Sequence, residues 1–146
     1  MSAQVVEKLT ATLADTYKTS LKTQYYHWNV TGIAFYALHE MFEEQYKELS
    51  ASVDEIAERI RALGAIAPAS FKTYSEYSKI EDEPVNGDAM SMIKGLIKDH
   101  EQILASLKAL QNTADEAGDS GSEDFAVAKT QEHEKTLWML KASISS

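Results

Sequence analysis

The chain contains only two prolines, Pro68 and Pro84, so residues 1–67 and 85–146 lack the strongest helix breaker. Most of the 146 residues can therefore run as long helices. Gly32, Gly64, Gly87, Gly95, Gly118 and Gly121 supply the remaining punctuation. Between these marks apolar residues recur every three to four positions, the period of a helix with one buried face. Four long helices are predicted, over about 3–29, 34–63, 87–113 and 120–143. The stripes include Leu9 and Leu13 in the first, Phe35, Phe42, Leu49, Ile56 and Ile60 in the second, and Leu96, His100, Ile103, Leu107 and Leu110 in the third. Leu137, Trp138 and Leu140 are expected to anchor the end of the fourth. Ser120-Gly-Ser-Glu123 reads as a capping box opening that last helix.

Residues 64–86 form a link too long to be a simple turn. Thr73-Tyr-Ser-Glu76 is a second possible capping box, so a short helix is expected within the link. A link of this length can cross the length of a bundle, which places the second and third long helices parallel. The expected fold is all-α, a ferritin-like four-helix bundle with one long crossover containing a short helix. Without repeats or low-complexity tracts, residues 1–146 are read as a single domain.

Composition narrows the chemistry. The chain has no cysteine, which excludes disulfide scaffolds, thiolate zinc sites and iron–sulfur clusters. Its formal charge of −9 repels phosphate backbones, so DNA binding is not expected. No run approaches the ~20 apolar residues of a membrane span. The first residues carry no basic patch followed by an apolar stretch, so a signal peptide is not expected and the cytoplasm is the expected location.

The second helix carries a polar stripe that bundle packing does not explain. With about 100° of rotation per residue and His39 at zero, Glu43 falls at ~40°, Asp54 at ~60° and Glu58 at ~100°. An imidazole and three carboxylates on one face suit iron, manganese or zinc. A rise of ~1.5 Å per residue separates His39 from Asp54 by about 22 Å, far beyond the reach of one ion. A second copy lying antiparallel, on a twofold axis near residues 47–50, would bring the two ends together. Ser50 and Ala51 near that crossing are small enough for close approach, and His27 could complete each site. The alternative is a solvated helix face, the expected state of Glu44, Glu48 and Glu55. His100 is expected to be a core histidine, and nothing near His133 makes it a ligand. The Glu-x-x-His pair of di-iron sites built inside one bundle does not occur.

The runs His27-Trp-Asn-Val-Thr-Gly32, Phe35-Tyr-Ala-Leu-His39-Glu-Met-Phe-Glu43 and Val53-Asp-Glu-Ile-Ala-Glu58 closely resemble the Dps family of mini-ferritins. The resemblance spans essentially the whole chain. It implies a hollow homo-oligomer, a dodecamer, with ferroxidase centres at its twofold interfaces. Carried over, His27 and His39 come from one subunit and Asp54 and Glu58 from the other, with Glu43 at a weaker second position. The resemblance further implies oxidation of Fe2+ by hydrogen peroxide or dioxygen and storage of Fe3+, with Zn2+ or other divalent ions able to compete. Trp28 would sit beside the centre as an electron donor, or serve as an interface anchor. Asp119, Glu123 and Asp124 would line an iron inlet pore, although acids there also suit a helix N-terminus. Two rival readings are a DNA-compacting stress protein with incidental iron chemistry and a bundle with a purely structural or adhesive role. The first lacks a basic tail, Lys8 being the first basic residue, and the second is opposed by the intact ligand set.

Overall fold

The computed structural model describes residues 2–82 and 88–145. Pro84 and Gly87, and with them the predicted start of the third long helix, lie outside the described residues. Five helices occur among those described: α1 (Ala3–Asn29), α2 (Phe35–Ala62), α3 (Phe71–Tyr77), α4 (Ala89–Glu116) and α5 (Ser120–Ala142). No strand is found among the described residues.

The helix limits follow from local chemistry. Ser2 caps α1 by accepting the Val5 N–H, and Asp88 caps α4 by accepting the Met90 N–H. Gly64 and Gly118, just past α2 and α4, take φ of 89° and 71°, the left-handed conformation that ends helices at little cost in glycine. Two caps differ from the sequence reading. The short helix is capped by Ser70, which accepts the Thr73 N–H, so Thr73 is already inside it. The last helix is capped by Asp119, not Ser120, and its carboxylate accepts from both the backbone N–H and the hydroxyl of Ser122. A carboxylate accepts more strongly than a serine hydroxyl, and the helix dipole favours its charge.

Side-chain pairings fix the topology. Ser20 and His27 of α1 bond Tyr46 and His39 of α2, so these two helices run antiparallel. Asp15 and Lys22 of α1 reach Ser106 and Asp99 of α4, which makes α4 antiparallel to α1 as well. Helices α2 and α4 are therefore parallel, as the long crossover requires. Arg59 and Glu55 of α2 meet Asp119 and Lys129 of α5 in the reverse order, closing the four-helix bundle.

The core has two apolar ends. One gathers Leu9, Leu13, Ile56, Ile60, Ile103 and Leu107, and the other Tyr26, Leu38, Phe42, Leu96 and Leu140. Between them lies a buried polar layer that includes Thr16, Thr19, Thr23, Gln45, His100 and His133. Two predicted core residues sit elsewhere. Trp138 is 65% exposed, because two residues from buried Leu140 is ~200° around the helix. Phe35, at the first residue of α2, is 41% exposed and lays its ring on His39. The crossover is held by Asp15, whose carboxylate accepts from the Ser78 hydroxyl and the Lys79 N–H at 2.8 Å each.

Candidate metal centre

His27 lies in the last turn of α1, and His39 lies in the second turn of α2. The short connection 30–34 folds α2 back on α1 and brings their rings face to face, with centroids 3.9 Å apart and planes 15° from parallel. Nδ1 of His27 donates to the carbonyl oxygen of His39 at 2.8 Å, and Nδ1 of His39 donates to that of His27 at 2.7 Å. The His27 carbonyl is free to accept because α1 ends before any fourth-residue N–H can reach it. A carbonyl only accepts, so both protons must sit on Nδ1. In the neutral imidazoles both Nε2 atoms then carry bare lone pairs, the form in which imidazole binds a metal, with ring orientation fixed by the second nitrogen.

Glu43, one turn beyond His39, adds oxygen to this end. Its Oε1 lies 3.8 Å from Nε2 of His27, and its Oε2 lies 3.5 Å from Nζ of Lys47. Tyr46 packs at an angle against His27, with ring centroids 5.4 Å apart. His27 is 6% exposed, so the imidazole is shielded on its protein side. One chain thus sets His27 against both His39 and Glu43.

Asp54 and Glu58 lie three to five turns further along α2, and both are exposed. Ser50 and Ala51, between the two groups, are also at the surface. Among the described residues, no three His, Cys, Asp or Glu side chains of one chain form a group that could hold a metal ion. Trp28 is 63% exposed and borders an apolar recess with Leu21 and Tyr25. Ile33, Tyr36, Ile66 and Phe71 are exposed large apolar side chains as well.

At the other end of α2, Asp119 is engaged structurally. Besides capping α5, it takes Nη2 of Arg59 at 3.1 Å. Burial pushes its carboxyl upward, but the Ser122 bonds and the Arg59 guanidinium outweigh this and hold it below the usual carboxylate range. Glu123 is half-buried in the first turn of α5, and Asp124, the next residue, is exposed. Glu55 is solvated as expected, with its side chain 55% exposed, and it also accepts from buried Lys129 at 2.9 Å. Sequence reasoning also missed the contact between His100 and His133, whose Nδ1 atoms lie 2.9 Å apart. No periodicity signal could have found that pair, because it joins two different helices.

A model of the ferritin-like domain matches residues 6–146. The chain is 37% identical to the DNA protection during starvation protein 2 of Bacillus anthracis over 145 residues, 99% of each chain. Its fold superposes on Dps from Staphylococcus aureus with a TM-score of 0.93 at 33% identity, covering 97% of this chain and 95% of that one. The Dps structure from Vibrio cholerae O1, described as a member of a broad superfamily of ferritin-like diiron-carboxylate proteins, gives the same TM-score and identity over 97% of this chain and 89% of the other. The chain belongs to the ferritin-like family, in its Dps branch. No helix among the described residues is long and apolar enough to cross a membrane.

Proposed function

We propose that this chain is a cytoplasmic ferroxidase and iron-storage protein that protects against oxidative damage. Two half-sites make each centre: His27, His39 and Glu43 of one subunit, and the partner's Asp54 and Glu58. The antiparallel pairing is isologous, so each dimer holds two such centres. The exposed apolar side chains around Trp28 and Ile33 are consistent with self-association into a larger shell, read as a dodecamer.

The observation that carries this reading is the reciprocal bonding of His27 and His39, which presents two Nε2 lone pairs side by side. The two nitrogens, with carboxylates from both subunits, form a donor set for Fe2+, with Zn2+, Mn2+ or Co2+ as competitors. Carboxylates favour Fe3+ over Fe2+, which assists oxidation. With hydrogen peroxide as oxidant, each of two Fe2+ gives one electron, the O–O bond breaks, two protons are taken up and two waters form. No hydroxyl radical is released in that balance. Dioxygen is the alternative oxidant. Trp28 can supply a further electron when only one Fe2+ is bound. The Fe3+ product then mineralises inside the shell. Glu123 and Asp124, with Asp119 beside them, would provide the negative inlet that draws Fe2+ inward. The B. anthracis relative is named for DNA protection; for this chain, at −9, we read that protection as removal of peroxide and Fe2+ rather than DNA coating.

The test is anaerobic addition of Fe2+ followed by peroxide, monitored by ferric absorbance. The expected result is a rapid rise that consumes one peroxide per two Fe2+. No ferric signal above the protein-free control would refute the reading.

A further inference from the structure

The polar middle layer of the bundle holds atoms that the protein leaves without partners. The threonines of α1 satisfy themselves: Thr16, Thr19 and Thr23 each donate to the carbonyl four residues earlier, at 2.6–2.8 Å. Gln45 does not. It is 4% exposed, and neither its amide nitrogen nor its amide oxygen has a hydrogen-bond partner. The buried hydroxyl of Ser52 is also unpartnered. A buried polar group left unpaired costs about 1–3 kcal/mol, so three such atoms about two turns apart on one face of α2 need an explanation.

Gln45, Ser52 and His133 line one cavity of about 30 Å³ between α2 and α5, with Thr136 beside them and the exposed Glu48 and Glu132 at its edge. A bound water needs roughly 10–15 Å³ and two to four polar partners. We propose that this cavity is a binding site for one internal water molecule, held by Gln45, Ser52 and His133.

The His100–His133 contact supplies the donor. With 2.9 Å between the two Nδ1 atoms, one must carry a proton and the other a lone pair. Nε2 of His100 is buried without a partner. Were His100 the acceptor, that Nε2 would bear an orphaned N–H, which folded proteins tolerate less readily than an unused lone pair. His100 therefore donates from Nδ1. His133 accepts at Nδ1 and keeps its own proton on Nε2, available to the cavity. A water there accepts from the His133 Nε2–H and one Gln45 amide N–H, and it donates one proton to the Ser52 hydroxyl oxygen and the other to the Gln45 amide oxygen. Two N–H donors lining one small cavity suit a neutral acceptor and disfavour a cation, so the ligand is water and not a metal ion.

Neutron crystallography of the deuterium-exchanged, assembled protein tests both parts. The expected maps show deuterium on Nδ1 of His100 and on Nε2 of His133, with a water within hydrogen-bond reach of Gln45 and Ser52. An empty cavity, or deuterium on Nε2 of His100, overturns the proposal. In Gln45→Met the water peak should be lost, and its persistence would overturn the anchoring role of Gln45.

Discussion

Lys22 on α1 and Asp99 on α4 form an ion pair 2.9 Å long, with side chains only 7% and 5% exposed. Lys22 also donates to the Glu81 carbonyl at 3.0 Å, so the pair ties the end of the crossover to the bundle. Asp99→Asn would leave a buried ammonium without its counter-charge and should cost about 3–5 kcal/mol in urea denaturation at neutral pH. The double change Lys22→Met, Asp99→Leu should recover much of that loss, because removing both charges leaves no buried charge unpaired. Equal destabilisation in the two variants would contradict this account.

The proposed two-subunit centre predicts complementation. His27→Ala and Asp54→Ala chains should each form inactive shells. Co-assembled at equal amounts, half the dimers are mixed and each mixed dimer holds one intact centre, so about a quarter of the centres should work. Ferroxidase activity of mass-verified mixed shells is the measurement. Activity no higher than in either parent would mean that the ligands do not come from two chains.

Acid should destabilise the bundle through His100 and His133. Burial, with the facing His133, lowers His100 from 6.5 to about 3; burial, with the Lys129 charge, lowers His133 from 6.5 to about 4. Between those values and 6.5 the unfolded chain binds more protons than the folded one, so stability falls as pH falls through that window. The loss is roughly 1.4 kcal/mol per pH unit for each imidazole still withheld from protonation. A His100→Leu, His133→Leu variant should show a flatter dependence from pH 6.5 to 4.5 in thermal melts of the same assembled form. An unchanged slope would assign acid sensitivity to other groups.

The acids at the start of α5 should separate by role. Asp119 already faces Arg59, whereas Asp124 is exposed just past the first turn. Asp124→Asn should slow iron uptake with less than about 0.5 kcal/mol of stability change, the usual range for a surface position. Asp119→Ala should cost about 1 kcal/mol through the lost cap, while Asp119→Asn, which retains a capping oxygen, should cost less. Stopped-flow uptake and denaturation on the same preparations check both halves. Uptake slowed more by Asp119→Asn than by Asp124→Asn would reverse the assignment.

DNA should remain free of this protein. A −9 chain repeated through a shell presents a large negative surface to a polyanion. Plasmid mobility in a gel at physiological salt, without divalent metal, should be unchanged, and a retarded band would reinstate the compaction reading.

The bundle was legible because its signals are periodic and its stops are local: the absence of proline, the glycines after α2 and α4, and the leucine and isoleucine stripes. The cap positions slipped by one to three residues because serine, threonine and aspartate cluster at both starts, and only backbone geometry chooses among them. Trp138 was misplaced by hydrophobicity alone, since a side chain within two residues of a core leucine can face outward. The buried threonines of α1 gave no sequence signal, for a hydroxyl that bonds its own helix hides its polarity. The candidate centre was half legible. Face geometry selected His39, Glu43, Asp54 and Glu58, but the interlocking of His27 with His39 depends on where the turn at 30–34 sets two helix ends.

That interlocking has a consequence for how the centre can fail. Each imidazole is aimed by the other's main chain, with Glu43 and Tyr46 also against His27 and Phe35 against His39. Deleting one ring therefore leaves its neighbour's carbonyl acceptor in place, whereas a shift of the 30–34 connection moves both carbonyls and misaims two nitrogens at once.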